Sequence, residues 1–415
     1  MEAISDTELT QVRSFLPQLA SQISDLVHGL ERHIAVGNLI ENLPEDQRLS
    51  LRDLLESFLI KMHENGASDV DIGGFGSKGK VWYRIFGTKA PDVTWGTFES
   101  TEFSMLIQNV LSQRQRNFLY DKRNLDFSYS LDQGGVTYRF RADAFLDLEE
   151  IALNMRAVNA QIRPIADLVF HPKVLDIFSL AHTKAGLILV TGITGSGKSS
   201  TLDSIIDMNN HTVDGGIVII GSPIEFVHQS DRCIVRHREV GRDTLSFKEG
   251  AVEALRQDPD IVMITEMRDP DTIMTALEIT DSGHKVFSTL HTASAVESID
   301  RIVAEMPPVE QERVWQRLAD VLVCVVSQKL VPDIDGRLAL AKEVMVASPS
   351  VKAAIKNKNT SEIYQMINEG SDLGMITLEQ DLVRLYRQRR ITKENVMNYA
   401  NNKRRMQQIL SARSL

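Results

Sequence analysis

One segment constrains this chain more than any other: it reads Gly192-Ile193-Thr194-Gly195-Ser196-Gly197-Lys198-Ser199 and matches the pattern G-x-x-x-x-G-K-[ST]. An apolar run, residues 187–191, precedes it directly, and the apolar positions Leu202 and Ile205 follow it at helical spacing. The pattern requires this order of strand, glycine-rich turn and helix, which makes an accidental glycine-rich turn the weaker interpretation. The segment therefore predicts a loop that holds the phosphates of a nucleotide.

The residue types in this segment each suit phosphate binding. Glycines let backbone N–H groups curl around the phosphates, and the N-terminus of the following helix adds a favourable dipole. Lys198 is predicted to reach the β and γ phosphates, and the hydroxyl of Ser199 to hold Mg²⁺. We expect ATP and Mg²⁺ as cofactors. The predicted nucleotide-binding residues are Gly192, Thr194, Gly195, Ser196, Gly197, Lys198, Ser199 and Ser200.

A carboxylate follows a second apolar strand. The run 261–264 is typical of a buried strand, and Glu266 comes just after its tip. Open parallel sheets bind ligands outside the carboxyl ends of their strands, where Glu266 is placed to position an attacking water. We predict that Glu266 is the general base and, with Ser199, a ligand of Mg²⁺. The alternative is that Glu266 caps a helix beginning at Asp269.

A histidine follows a third apolar strand. His291 comes just after the run 285–289, at the same predicted edge of the sheet as Glu266. An imidazole at this edge can read the charge of a terminal phosphate. We predict that His291 senses the γ phosphate, and the alternative is a packing role.

The remaining patterns predict two domains with helical additions. At 415 residues the chain exceeds the ~100 to 200 residues of a typical single domain. Apolar positions three and four apart predict one long helix over residues 12–34 and a second over 44–66. Short alternating runs between residues 67 and 145 predict a small α+β domain. Strands that alternate with helices then predict a parallel sheet with helices on its faces, its strands being 187–191, 217–220, 261–264 and 285–289.

Composition and charge exclude several functional classes. Hydrophobic residues make up 43% and charged residues 25% of the chain, which is ordinary for a soluble globular protein. A formal net charge of −10 argues against specific nucleic-acid binding. Cys233 and Cys324 are far apart in sequence and support neither a disulfide framework nor a zinc module. Because no run approaches the ~20 apolar residues of a membrane-spanning helix, we expect a cytoplasmic chain without membrane insertion.

Five further motifs follow one another along the second half of the chain. They are Pro223-Ile224-Glu225-Phe226-Val227-His228, Arg238-Glu239-Val240, Asp258-Pro259-Asp260, Glu266-Met267-Arg268-Asp269 and Thr289-Leu290-His291-Thr292. Together with the phosphate-loop segment they resemble the type II/IV secretion ATPases, and within that family the PilT-like ATPases that retract type IV pili in twitching motility. The resemblance covers residues from about 67 to about 393.

The resemblance implies an architecture and partners. Relatives of this kind form hexameric rings in which each nucleotide lies between a PAS-like domain and a RecA-like P-loop domain. It also implies a homo-hexamer peripheral at the inner membrane, acting on a pilus platform protein and alongside a paralogous ATPase. The predicted boundaries are 1–66 for a helical N-terminal extension, 67–160 for the PAS-like domain, 161–185 for a linker, 186–350 for the RecA-like domain and 351–415 for a C-terminal helical region.

Three of the implied catalytic residues belong to the RecA-like part of the sequence. By position, Glu266 matches the acidic residue of the family's Walker B motif, His291 its His-box and Glu225 the second acidic residue of its Asp-box. The family usually has Glu-Asp before Pro-Ile-Glu-Phe, whereas this chain has Gly221-Ser222. A carboxylate expected near Mg²⁺ and the water is therefore missing from this motif, which puts the rate of turnover in question.

The other three implied catalytic residues belong to the PAS-like part. Arg139, Arg141 and Arg156 match basic residues that approach the phosphates, where a fixed guanidinium charge suits the transferring phosphoryl group. The alternative for Arg139 and Arg141 is that they are two exposed residues on one strand face. Residues 146–150 lack an arginine that the family tends to carry, and residues 351–358 match the late motif of the retraction subgroup only in part.

The sequence leaves three kinds of function open. The first is a hexameric motor ATPase for pilus retraction, with a conjugation or secretion ATPase as its near variant. The second is a nucleotide-binding ring protein with weak or no hydrolysis that assists an active paralogue. The third is a structural adaptor whose nucleotide only sets its assembly state. Lys198, Ser199, Glu266 and His291 favour the motor, since a silent protein needs neither a metal-holding hydroxyl nor a base.

Overall fold

The computed structural model describes residues 6–85, 87–158 and 161–412, and the chain divides into two compact units. The N-terminal unit spans residues 1–160 and the C-terminal unit residues 161–415. The C-terminal unit contains the parallel sheet that the sequence predicts, so the α/β fold class is confirmed.

The N-terminal unit combines helices with an antiparallel sheet. Its elements are α1 (Asp6–Ala20), α2 (Gly29–Glu41), α3 (Glu45–Glu64), β1 (Asp69–Gly73), β2 (Val81–Ile85), β3 (Thr88–Asp92), α4 (Ser100–Asn109), α5 (Gln113–Lys122), β4 (Asn124–Gln133), β5 (Val136–Asp147) and β6 (Glu150–Ala157). The strands lie in the order β3-β2-β1-β6-β5-β4, and neighbours run antiparallel. Helix α3 confirms the helix predicted for residues 44–66.

The single helix predicted for residues 12–34 is wrong, because α1 and α2 are separate helices. Between them the hydroxyl of Ser21 donates to the preceding backbone at 2.8 Å, and the N–H of Leu26 donates to Ser24 Oγ at 3.3 Å. Serine hydroxyls that bind local backbone in this way compete with helical hydrogen bonds. Gly29 then adopts φ +55°, a conformation that glycine reaches without strain. Leu26 is 89% exposed, so the apparent apolar stripe is interrupted here.

Helices and sheet of the N-terminal unit share one hydrophobic core. Leu16 of α1 and Leu54 of α3 are buried in the same cluster as Phe140 of β5. The sequence places a domain boundary between 1–66 and 67–160, whereas the structure puts both segments into one unit. The physical reason is that the helices supply the apolar surface that covers the sheet.

The C-terminal unit is a largely parallel sheet between layers of helices. Its elements are α6 (Pro172–Phe178), β7 (Gly186–Thr191), α7 (Lys198–Thr212), β8 (Gly215–Gly221), β9 (Cys233–Glu239), α8 (Phe247–Ala254), β10 (Ile261–Ile264), α9 (Pro270–Asp281), β11 (Lys285–Leu290), α10 (Ala295–Ala304), α11 (Pro308–Val321), β12 (Leu322–Pro332), β13 (Leu338–Val346), α12 (Pro349–Lys356), α13 (Ile363–Glu369), α14 (Leu378–Arg387), α15 (Lys393–Tyr399) and α16 (Lys403–Ala412). The strand order is β13-β12-β7-β11-β10-β8-β9, with β13 antiparallel to β12. Strands β7, β8, β10 and β11 confirm the strands that the sequence predicts.

Two hydrophobic cores flank this sheet, one on each face. Along β7, Leu187 belongs to one core and the next residue, Ile188, to the other. Burial on both faces explains why the predicted strands are continuous apolar runs rather than alternating patterns. Among the helices in the described ranges, none has the length and apolar character needed to cross a membrane.

Two segments predicted to lie outside the RecA-like domain pack onto its sheet. The predicted linker, residues 161–185, contributes Phe178 to one of the two cores. The predicted C-terminal region, residues 351–415, contributes Leu382 of α14, which is buried in a cluster with Ala339 of β13. Both segments therefore belong to the C-terminal unit as the structure divides the chain.

Candidate nucleotide site

The predicted phosphate loop joins β7 to α7 at the carboxyl edge of the sheet. Residues 192–197 pass directly from the end of the strand to the first turn of the helix. Gly192 has φ +150°, and a side-chain carbon there would lie 2.4 Å from Ser196 Oγ. Gly197 precedes α7 with φ +85°. These positions require glycine, and the strand, turn and helix that the motif needs are all present.

The side chain of Lys198 folds back over this loop. Its Nζ donates to the carbonyl oxygens of Gly192 at 2.9 Å and Ile193 at 3.2 Å. Burial lowers the pKa of Lys198, and the negative charges of Glu266 and Glu225 oppose this change only in part. The structure thus brings the lysine and both predicted acidic residues into one electrostatic environment.

Glu266 and His291 lie side by side just beyond β10 and β11. His291 Nε2 is 2.9 Å from Glu266 Oε1, and Arg268 Nε is 2.6 Å from the same oxygen. Burial alone would raise the pKa of Glu266, but its hydrogen bonds and electrostatic interactions with Arg268 and His291 outweigh burial and hold the pKa below its usual value. Glu266 is therefore an ionised carboxylate at neutral pH.

Hydrogen bonds between neighbouring strand ends fix this placement. Thr289 Oγ1 donates to the carbonyl of Thr265 at 2.7 Å, and the N–H of Met267 donates to the carbonyl of Thr289 at 3.2 Å. These contacts hold the segment that carries Glu266 against the strand that leads into His291. The two side chains consequently reach the same edge of the sheet.

The structure does not favour the two alternative interpretations of these residues. Helix α9 is capped by Asp269, whose Oδ1 accepts the N–H of Thr272 at 2.9 Å, so Glu266 is not its cap. The side chain of His291 is 45% exposed, which does not fit a packing residue. Both residues are thus available to a ligand at the carboxyl edge.

Glu225 lies in the loop between β8 and β9, close after the Gly221-Ser222 departure. The N–H of Ile224 donates to Glu239 Oε2 at 3.1 Å and so fixes the start of the loop. A side-chain carbon at Gly221 would lie 2.8 Å from Cδ1 of Ile224. A side chain at position 221 would therefore require the terminal methyl group of Ile224 to move, and the structure does not explain why this position is glycine.

The predicted arginines form a group of their own within the N-terminal unit. Arg141 and Arg156 are direct neighbours on β5 and β6, and Arg139 lies on the same face two residues along β5. Arg156 Nε donates to Asp69 Oδ1 at 2.8 Å, and Arg141 lies 3.7 Å from Asp126. The sheet thus presents three guanidinium groups on the face opposite its core.

Gln328 of β12 supports the phosphate loop and was not predicted from the sequence. The residue is 2% exposed; its Nε2 donates to the carbonyl of Ser196 at 2.9 Å, and its Oε1 accepts the hydroxyl of Thr201 at 3.0 Å. The signal in the sequence is a polar stretch, Ser327-Gln328-Lys329, between two apolar segments of one strand. Buried polar residues of this kind need fixed partners, and here the partners are the loop and the first turn of α7.

Gln328→Leu is expected to weaken nucleotide binding about tenfold, because it keeps the approximate size of the side chain and removes the partner of the Ser196 carbonyl in the loop and of the Thr201 hydroxyl in α7. A matched control is Gln108→Leu in the N-terminal unit, which removes bonds to His33 and Ser104 instead. The control is expected to lower stability without changing nucleotide affinity. Calorimetric titration with ADP measures the affinity of both variants. An affinity of Gln328→Leu equal to that of the wild type would contradict the role assigned to Gln328.

Comparisons with known proteins identify relatives of this chain. The family described as "Type II/IV secretion system protein" matches residues 45–413. The chain is 38% identical over 303 residues to the type IV pilus retraction ATPase PilT of Pseudomonas aeruginosa, covering 73% of this chain and 86% of that protein. It is 33% identical over 350 residues to the type IV pilus ATPase PilU of the same species, covering 84% of this chain and 88% of that protein.

A solved structure supports the same relationship. The crystal structure of the pilus retraction motor PilT with bound ADP has a TM-score of 0.74 and 35% sequence identity to this chain. The match covers 84% of this chain and 98% of that one. The shared family pattern, the shared fold and the phosphate loop lead to one conclusion. The chain belongs to the type II/IV secretion system protein family, and it is an ATPase of that family.

Proposed function

We propose that this chain is the motor ATPase that retracts a type IV pilus by driving pilin disassembly in twitching motility. The observation that carries the proposal is the Glu266–His291 pair, 2.9 Å apart, at the same sheet edge as the phosphate loop. A protein that only binds nucleotide needs no base beside a phosphate sensor. The similarity to PilT, named for retraction, supports the direction of the force.

The chemistry assigned to the site is hydrolysis of the γ phosphate. Lys198 contacts the β and γ phosphates. Glu266 takes a proton from the water whose oxygen attacks the γ phosphorus, and the bond from that phosphorus to the β–γ bridging oxygen breaks, which releases ADP and phosphate. His291 donates a hydrogen bond to the γ phosphate and, through Glu266 Oε1, reports its presence to the base. Glu225, in the loop between β8 and β9, interacts electrostatically with the ammonium group of Lys198.

The donor set fits Mg²⁺. Ser199 offers a half-buried hydroxyl in the first turn of α7, and Glu266 offers an ionised carboxylate. Mg²⁺ prefers oxygen ligands and usually combines one or two protein groups with phosphate oxygens and water. The ion would neutralise charge on the phosphates. Ser196 Oγ, buried and without a hydrogen-bond partner among the described residues, would donate to a phosphate oxygen.

The assembly is proposed from the family. We assign the chain to a homo-hexameric ring at the cytoplasmic side of the inner membrane, where it acts on a pilus platform protein. Within the ring, Arg139, Arg141 and Arg156 would approach the phosphates and neutralise charge that develops on the transferring group. Their common position on one sheet face supports a concerted role.

Loss of the gene is expected to leave the host cell with more surface pili and without twitching. The wild-type gene should restore motility, whereas Glu266→Gln should not, because a ring that cannot hydrolyse ATP delivers no force. Counting pili by electron microscopy beside a surface-motility assay measures both effects. Pili that disappear on deletion would contradict retraction and point to extension.

The Gly221-Ser222 sequence favours one second candidate. Because neither residue carries a carboxylate, the water and Mg²⁺ have fewer acidic neighbours than the family pattern provides. The chain would then bind nucleotide, hydrolyse it slowly and assist an active paralogue in the ring. Tight ATP binding without turnover in the purified chain would favour this candidate over the motor.

A further inference from the structure

A chain of buried hydroxyl groups runs beneath the nucleotide site. Ser327 Oγ of β12 lies 2.8 Å from Thr191 Oγ1 of β7. Thr191 Oγ1 lies 3.5 Å from Ser298 Oγ of α10, and Ser298 Oγ lies 2.6 Å from Thr292 Oγ1. Each of these residues is at most 3% exposed. We call Thr191, Thr292, Ser298 and Ser327 the hydroxyl chain.

The hydroxyl chain connects the two halves of the catalytic site. Thr191 is the last residue of β7 and directly precedes Gly192, the first residue of the phosphate loop. Thr292 directly follows His291. A displacement of the loop at Gly192 therefore reaches the backbone beside His291 through side chains that are already in contact.

Ser298 Oγ is the branch point of the hydroxyl chain. It carries one proton, which it can donate to the carbonyl of Ser294 at 2.7 Å or to Thr191 Oγ1 at 3.5 Å, and in either case it accepts from Thr292. Thr191 and Ser327 can be hydrogen-bonded to each other in either direction. A buried network of this kind is rigid, because moving one member leaves another without its partner.

An apolar core would serve the fold alone equally well at these positions. Neighbouring residues of the sheet, Val190 and Val326, are fully buried aliphatic side chains. A hydroxyl in such surroundings costs free energy unless it is hydrogen-bonded, and valine has nearly the shape of threonine. Hydroxyl groups here make sense if their geometry sets the relative position of the two segments.

We propose that the hydroxyl chain positions His291 relative to the phosphate loop, so that occupation of the loop by nucleotide sets the place of the histidine. The four residues are positioning residues, since each lies behind the loop and the histidine. The inference rests on the proposed role of His291 at the γ phosphate.

The direct test compares Thr191→Val with Thr191→Ser. Valine removes the hydroxyl and keeps the shape, whereas serine keeps the hydroxyl and removes a methyl group. Thr191→Val is expected to lower kcat about tenfold with KM unchanged, and Thr191→Ser to retain most of the wild-type kcat. Equal kcat losses in both variants would show that the methyl group, and hence packing, is what matters.

A double variant tests whether the effect passes through His291. His291→Ala combined with Thr191→Val is expected to be no slower than His291→Ala alone, because the hydroxyl has nothing left to position. Fully additive losses in kcat would mean that Thr191 acts independently of the histidine and would overturn the proposal.

Hydrogen exchange tests the same coupling without turnover. ADP is expected to slow amide exchange over residues 291–298 in the wild type and in Thr191→Ser, but not in Thr191→Val, although all three bind ADP. Equal protection in Thr191→Val would refute the positioning role. A chain that binds ADP but never hydrolyses ATP would refute the motor, while this experiment would still decide the role of the hydroxyl chain.

Discussion

Glu266→Gln is expected to bind ATP as tightly as the wild type and to hydrolyse it about 10² to 10⁴ times more slowly. Glutamine keeps the shape of the side chain and can still accept hydrogen bonds from His291 and Arg268, the partners of the carboxylate. It cannot take a proton from water. Steady-state kcat, measured beside the dissociation constant of a slowly hydrolysed ATP analogue, separates the two effects.

The matched control is Asp260→Asn, at the amino end of the same strand. Asp260 accepts the N–H of Gly216 at 2.8 Å, and an asparagine oxygen can do the same. Turnover is expected to persist, since this end of β10 lies away from the carboxyl edge. If Glu266→Gln loses nucleotide affinity as well as turnover, the role of general base is refuted.

Lys198→Ala is expected to weaken nucleotide binding at least about 100-fold, since it removes a charge-assisted contact to the β phosphate of ADP, and to both the β and γ phosphates of ATP. The same ammonium also donates to the loop carbonyls of Gly192 and Ile193, so the empty loop loses order too. ADP at 100 times its dissociation constant should stabilise the wild type by about 2.7 kcal/mol. Thermal unfolding with and without ADP should show this shift in the wild type and almost none in the variant.

An exposed lysine on α6 supplies the control for charge alone. Lys173→Ala removes the same charge from the C-terminal unit without touching the loop. Its ADP-dependent shift in unfolding temperature should equal that of the wild type. An equally large loss in Lys173→Ala would mean that overall charge, rather than a local contact, controls binding.

The parts of the site that were predicted from the sequence depend on short segments. The phosphate loop is a contiguous motif, and the positions of Glu266 and His291 follow from the rule that ligands meet the carboxyl ends of parallel strands. The apolar runs of β7, β8, β10 and β11 are readable because strands buried on both faces contain few polar residues.

The parts that were missed depend on long-range neighbours. Ser327 and Thr191 are 136 positions apart and meet only because β12 lies beside β7 in the sheet. Gln328 was missed for the same reason, because its contact with the phosphate loop also depends on β12 lying beside β7. The break between α1 and α2 was missed for a local reason, since serine hydroxyls such as that of Ser24 bind backbone groups that a periodicity count ignores.

One experiment on the purified protein decides whether this chain is a hydrolysing ring motor. Steady-state ATPase activity of the purified chain is recorded beside Glu266→Gln, with the assembly state followed by light scattering in the same samples. For a motor we expect Mg²⁺-dependent turnover by hexamers, and hexamers without turnover in the variant. Tight ATP binding without turnover in the unmodified chain would contradict this expectation and would direct the search to an active partner.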